Sequence, residues 1–109
     1  MVKQGDIIYI SFDPSLGHEQ QKTRPALVVS NNSFNKISNL KWLCPISHSH
    51  YYPLHINLPS ELITDGKVLC DQIRCMDLEE RPYKYIESVP NSFLLKILSI
   101  LKITLDIED

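Results

Sequence analysis

Ala26-Leu-Val-Val-Ser30 is apolar on both faces, and that run constrains the fold more than any other stretch of this 109-residue chain. As a strand it cannot lie with one side in water, so it belongs at the centre of a sheet. Directly before it stands Gly17-His18-Glu19-Gln20-Gln21-Lys22-Thr23-Arg24-Pro25. A connector that only turned the chain would need about two to five residues. This one carries an imidazole, a carboxylate, amides, a hydroxyl and two cations. Loops of that kind hold chemistry more often than they merely join strands.

The other segments supply partners for the central strand. Asp6-Ile-Ile-Tyr-Ile-Ser-Phe12 reads as a strand with Ile8, Ile10 and Phe12 on one face, stopped by Asp13-Pro14-Ser15. Asn31-Asn32-Ser33 offers a helix cap ahead of a short turn through Phe34 and Ile37. Residues 40–44 form a third strand, and Pro45, which cannot donate to a ladder, places it at an edge or marks a bulge. After a polar and aromatic loop at 48–53, residues 54–58 alternate as a short fourth strand, and Asp65-Gly66 supplies a tight turn. Residues 67–75 are expected to run as one fifth strand, 78–81 as a single helical turn before Pro82, and 83–89 as an alternating sixth strand.

Asn91 or Ser92 is the expected cap of one long helix that follows Pro90 and reaches about Asp106. Lys96, Ser99, Lys102 and Asp106 share a narrow polar stripe, which leaves an apolar arc wider than one sheet face needs. Such a helix is either deeply buried or meets another chain along part of its length. The expectation is a single domain over residues 1–109, mainly β with α: a small, strongly bent antiparallel sheet closed by a C-terminal helix.

Composition narrows the setting. A hydrophobic fraction of 43% and a charged fraction of 22% are ordinary for a soluble globular chain. No apolar run reaches the roughly 18 residues of a membrane span, and the start of the chain lacks a signal-peptide pattern. Three cysteines, an odd number, fit a reducing cytoplasm better than a disulfide framework. The formal net charge of −2 argues mildly against a nucleic-acid partner, yet its distribution is uneven. Residues 1–57 carry five cations against three carboxylates and all four histidines, whereas residues 58–109 carry six cations against ten carboxylates. An acidic chain can therefore present a locally positive face.

Four residues stand out chemically. His18 lies in the polar loop, where a solvated histidine is the plain alternative to a functional one. Arg24, at a strand start beside Pro25, offers a planar guanidinium suited to phosphate, unless it serves only an ion pair with Glu19 or Asp71. Asp71 interrupts an apolar strand pattern, and a carboxylate taken out of water needs a partner or a polar cleft. Ser47 ends the third strand, where its hydroxyl could donate to an anion. Cys44, His48 and His50 match no strong zinc spacing, so neither metal nor cofactor is expected. Cys70 and Cys75 should face opposite sides of their strand.

Order adds to these pieces. Gly5-Asp-Ile, Phe12-Asp-Pro, Gly17-His-Glu-Gln-Gln21, Thr23-Arg-Pro and Val28-Val-Ser resemble the N-terminal half of the MazF/PemK toxin family, nearest to its PemK (Kid) branch. Ser33-Phe-Asn35, Cys44-Pro-Ile-Ser47, Cys70-Asp-Gln-Ile-Arg74 with Met76-Asp77, and Val89-Pro90 follow in the expected order. The resemblance implies an SH3-like barrel with a C-terminal helix, of the kind CcdB and PemK share. It further implies a cytoplasmic homodimer that cleaves single-stranded RNA without metal and is blocked by a cognate antitoxin. Contact with DNA would come only through the antitoxin complex, and no membrane is involved.

Without metal, the RNA's own 2′-hydroxyl attacks phosphorus and leaves a 2′,3′-cyclic phosphate and a 5′-hydroxyl. Residue by residue, the resemblance places Arg24 at the scissile phosphate, Ser47 as a hydroxyl supporting it, Asp71 as the base and His18 as the loop histidine. Substrate binding falls to Glu19, Gln20, Lys22, Thr23 and His48. Arginine is a poor general acid, its pKa being above about 12, so charge support suits Arg24 better. The PemK pattern also has an arginine two residues before the aspartate, where this chain has Leu69. That departure keeps open a weak or inactive RNA-binding barrel. A CcdB-type gyrase poison is the remoter alternative, because the sole tryptophan, Trp42, is mid-chain.

Overall fold

The computed structural model describes residues 1–12 and 23–108. Among these, seven strands form an antiparallel sheet: β1 (Asp6–Ser11), β2 (Thr23–Val28), β3 (Leu40–Ser47), β4 (His55–Asn57), β5 (Lys67–Leu69), β6 (Arg74–Asp77) and β7 (Tyr83–Ser88). Two helices accompany them, α1 (Asn32–Ile37) and α2 (Asn91–Thr104). The strand order is β4-β5-β3-β2-β1-β7, with β6 also paired to β3. This is the mainly antiparallel β architecture with a C-terminal helix that the sequence implies. Among the described residues, no pairing joins the two ends of that order into a closed barrel.

β2 lies between β1 and β3, as its two apolar faces require. Ile7, Leu27 and Cys44 stand in one row across the three strands, all with no exposed surface. That row packs with Ile46, Val68 and Cys70, and with Phe93, Leu94, Ile97 and Leu101 of α2. The opposite faces send Ile8, Ile10, Ala26, Val28 and Leu43 into a second cluster with Val2, Phe12, Met76 and Leu78. The expected grouping of Ile8, Ile10 and Phe12 on one face holds. A sheet buried on both sides has its register strongly set, because a one-residue slip would exchange the two clusters.

β3 is longer than expected and is not an edge. It runs unbroken through Pro45, which is buried and faces Ala26 of β2. On its other side β3 pairs with β6 from Leu40 to Leu43 and with β5 from Ile46 to Ser47. Pro45 falls in the interval between those partners, where the ladder on that side is already interrupted. The missing N–H is thus accommodated by a change of partner.

The segment 67–75 is likewise not one strand. β5 stops at Leu69, Cys70–Gln72 form a 3-10 turn, and β6 begins at Arg74. The two strands reach different stretches of β3, and the turn makes the step between them. Residues 78–81 form a turn rather than a helix, closed by the Glu79 N–H on Asp77 Oδ1 at 2.8 Å.

α1 has the expected cap, with Asn31 accepting from the Phe34 N–H. It is fastened to the sheet by the buried Lys41, whose Nζ donates to the carbonyl oxygens of Asn35 and Ser38. α2 starts at Asn91 without a side-chain cap; instead the Pro90 carbonyl accepts from the N–H groups of Phe93 and Leu94. Nor is α2 deeply buried. Phe93, Leu94, Ile97 and Leu101 face the core, while Leu95, Ile103, Leu105 and Ile107 are exposed.

Leu27 sits at the centre of the larger cluster with no accessible surface. Leu27→Ala should therefore lower the unfolding free energy by about 2–5 kcal/mol. Urea denaturation of the two proteins measures it.

Candidate active site

Thr23, Arg24, Ser47 and His48 line one open cleft of about 490 Å³, together with Tyr9, Ile63, Thr64 and Asp65. The sheet register explains why Arg24 and Ser47 come together. The β2–β3 ladder ends at the Ala26–Pro45 pair, and Arg24 and Ser47 each lie two residues beyond it on their strands, at the same end of the sheet. Ser47 in turn pairs with Lys67 of β5. Among the described residues, Arg24 has no carboxylate within ion-pair distance, and Asp71 in particular pairs elsewhere. His48 is exposed, with Nε2 3.7 Å from Asp65 Oδ1 on the facing loop. His18, Glu19, Gln20 and Lys22 lie outside the described residues, as does the expected turn at Asp13-Pro14-Ser15.

That facing loop is held at two points. Glu87 of β7 accepts from the N–H of Thr64 at 2.7 Å and of Ile63 at 3.1 Å. Its partial burial tends to raise the carboxyl pKa, but the Thr64 and Ile63 donors outweigh that and hold it below the ordinary carboxylate range. At the loop's end Gly66 has φ +121, which an L side chain rarely adopts. A Cβ there would also come within 3.2 Å of the Ser47 carbonyl oxygen. The glycine thus permits the close approach of this turn to the end of β3.

Asp71 does not line the cleft. It sits on the 3-10 turn, not in a strand, and its partner is neither Arg24 nor water alone: Asp71 Oδ1 is 2.9 Å from His55 Nε2. His55 Nδ1 is in turn 2.9 Å from Ser49 Oγ. The two groups of residues are linked by the backbone of 47–49, since Ser47 and His48 line the cleft and Ser49 meets the histidine. Lys67 fixes that link by donating from Nζ to the Ser49 carbonyl oxygen at 2.6 Å. Sequence reasoning had no hold on His55 and Ser49, because only the β4–β5 pairing brings 55 and 71 together.

Position 69, where the resemblance calls for arginine, is a buried leucine with 5% exposure, so no charge enters the site there. Cys44 and Cys70 lie beneath Asp71 in the core. Burial, with added repulsion from Cys70 and Asp71, pushes the Cys44 thiol up to about 12. Burial and then Asp71 push Cys70 up to about 11. Cys44 therefore stays a protonated core thiol, whereas His48 and His50 are exposed. Cys75 is exposed and Cys70 buried, so they do part company. The cause is the 3-10 turn and not strand parity. Among the described residues, no group of three His, Cys, Asp or Glu side chains is placed to hold a metal ion. None of their helices is long and apolar enough to cross a membrane.

A small, bent antiparallel sheet backed by a C-terminal helix, with Arg24, Ser47 and His48 in an open cleft at the ends of β2 and β3, defines a class of compact, mainly β proteins. Residues 3–105 match the family described as PemK-like, MazF-like toxins of type II toxin–antitoxin systems, and the chain belongs to that family. It is 33% identical to endoribonuclease PemK of Escherichia coli, over 92% of this chain and 79% of that protein. It is 34% identical to endoribonuclease toxin ChpB of Escherichia coli strain K12, over 92% and 94%. The fold superposes on the crystal structure of MazE–MazF (Form-III) from Deinococcus radiodurans with a TM-score of 0.85, at 28% identity and 98% coverage of both chains.

Two outcomes follow from these geometries. Because the Glu87 carboxylate ionises more readily in the fold, its support of the loop is complete above the ordinary carboxylate pKa. It is lost as pH falls through the lowered folded value. Glu87→Gln should thus cost on the order of 1 kcal/mol at neutral pH, and thermal melts should show the gap from wild type closing in acid. A thiol reagent applied to the native protein near neutrality should modify Cys75, with Cys44 and Cys70 reacting only after denaturation; mass spectrometry of the labelled peptides reads this out.

Proposed function

We propose that this chain is the endoribonuclease toxin of a toxin–antitoxin pair and cuts single-stranded RNA in the Arg24–Ser47 cleft. The observation that carries the reading is the placement of a guanidinium from β2 and a hydroxyl from β3 in one open cleft. Those groups suit a phosphodiester. Arg24 opposes the charge that builds on the phosphorane oxygens, and the Ser47 hydroxyl donates to a phosphate oxygen. The 2′-hydroxyl attacks phosphorus, the 5′-oxygen leaves, and the products are a 2′,3′-cyclic phosphate and a 5′-hydroxyl. No metal is required by that sequence of steps.

Asp71 stands on the proton-accepting side of the reaction, and His18 of the polar loop is its companion there. Thr23 and His48 contact the strand from the cleft walls, with Glu19, Gln20 and Lys22 of the loop completing the binding surface. The partner is a cognate antitoxin, by analogy with the MazE–MazF assembly named for the Deinococcus structure. The exposed Leu95, Ile103, Leu105 and Ile107 are consistent with a helix that also meets a second copy of the chain, as a homodimer. The chain acts in the cytoplasm, and meets DNA only within the antitoxin complex.

Leu69 supports a second reading. A buried leucine where a charge is expected would leave an RNA-binding barrel that cleaves weakly or not at all. One experiment separates the two. Purified protein is incubated with a mixed single-stranded RNA in EDTA and the new 5′ ends are mapped. Sequence-selective cuts bearing 5′-hydroxyls are the expected result, whereas RNA binding without cutting would establish the inactive barrel. In the same assay Arg24→Ala should reduce cleavage by about 100-fold or more; unimpaired cleavage would remove Arg24 from its assigned role.

A further inference from the structure

His55 lies opposite Leu69 in the β4–β5 register, so its ring enters the site from the neighbouring strand at the level where position 69 is apolar. Its side chain is only 12% exposed, against 32% for Asp71. The ring leans on Tyr52, with centroids 4.9 Å apart, and both nitrogens are engaged: Nε2 with Asp71 Oδ1 and Nδ1 with Ser49 Oγ. The titratable and charged groups around the ring come from three elements. They are Asp71 on the 3-10 turn, Tyr52 and His50 in the loop before β4, and Lys67 of β5, which reaches the ring through Ser49.

Ser49 has one hydroxyl proton and two acceptors within reach, His55 Nδ1 at 2.9 Å and the His50 carbonyl oxygen at 3.2 Å. Given to Nδ1, that proton leaves a neutral ring whose own proton is on Nε2, facing Asp71. Given to the His50 carbonyl, it frees Oγ to accept from a protonated Nδ1, and the ring is the imidazolium. In both states Nε2–H donates to the Asp71 carboxylate. The imidazole can gain or lose a proton without turning over and without dropping a hydrogen bond. An arrangement serving only to hold β4 against the 3-10 turn would have no need of that property.

We infer that Ser49, His55 and Asp71 form the proton-accepting relay of the cleavage, with His55 as the group that takes up the proton. The inference rests on the endoribonuclease reading and assigns residues to it that the family resemblance does not. Ser49 directly follows Ser47 and His48, which line the cleft, so the outer end of the relay lies next along the chain to the cleft wall. The 2′-hydroxyl passes its proton to Ser49 Oγ while the Ser49 proton moves to Nδ1. The freed oxygen pair forms the 2′-O–P bond and the P–O5′ bond breaks. The leaving oxygen takes a proton from solvent, to which the imidazolium later returns the one it gained. Asp71 is a positioning residue that steadies the imidazolium; Ser49 is the member that touches substrate.

The test measures kcat and KM for single-stranded RNA across the pH range in which histidine titrates, for wild type, His55→Gln, Ser49→Ala and Asp71→Asn. Wild type should show a rate that rises with pH through that range. His55→Gln keeps an amide donor for Asp71 but cannot carry the proton. It should lose about 100-fold in kcat and lose the rising limb, with KM changed less than about threefold and the melting temperature preserved. Ser49→Ala, on an exposed loop, should lose the same limb and gives the same reading if His55→Gln does not fold. Wild-type rates and an intact limb in the folded variants overturn the relay, as does a loss confined to KM. A wild type that cuts no RNA overturns the nuclease reading and the relay with it, an outcome distinct from cutting that is indifferent to His55 and Ser49.

Discussion

The fold depends on β3 having two partners along one side. Its first half takes β6 and its second half takes β5, while its other side stays on β2. A regular strand shared in this way would leave unpaired donors at the crossing point, and a buried N–H without a partner is costly. Pro45 has no such donor and occupies that point. The consequence reaches well beyond β3. The chain between β5 and β6 must step from one half of β3 to the other, and it does so through the 3-10 turn that carries Asp71. The place of the carboxylate therefore follows from how the sheet is divided.

A double-faced sheet gives that division its rigidity. The row Ile7–Leu27–Cys44 on one side and the cluster around Ile8, Ala26 and Leu43 on the other leave β2 no freedom to slip. Arg24 and Ser47 inherit that register, since they are only two residues beyond the Ala26–Pro45 pair. Their geometry is set by the core and not by a loop. Side chains carried on strands hold position more closely than those on flexible segments.

The elements that could be read from sequence were those with a local cause. Period-two alternation marked β1 and β7, the double-sided run marked β2, and Asn31 marked the start of α1 through its own side chain. What escaped were consequences of pairing. Pro45 looked like an edge because a single sequence cannot show that β3 changes partner beside it. Residues 67–75 looked like one strand because an apolar run has no local mark where β3 is handed from β5 to β6. Arg24, Ser47 and Asp71 were legible as anomalies against apolar patterns, and the first two do share a cleft. The bond from Asp71 to His55 was not legible, because it spans sixteen residues and depends on a three-residue strand. Family resemblance extended the reading by supplying order, and it was silent on His55 for the same reason.

Gly66 carries a further consequence. Its turn abuts the Ser47 carbonyl so closely that no other residue fits without displacing the end of β3. The loop before it contributes Ile63, Thr64 and Asp65 to one wall of the cleft. The side chains at 63–65 can thus vary the wall they form, while position 66 is bound to glycine by its φ and by its approach to Ser47. One loop thus joins two opposite tolerances: side chains open to change along its length, and a backbone that admits almost none at its end.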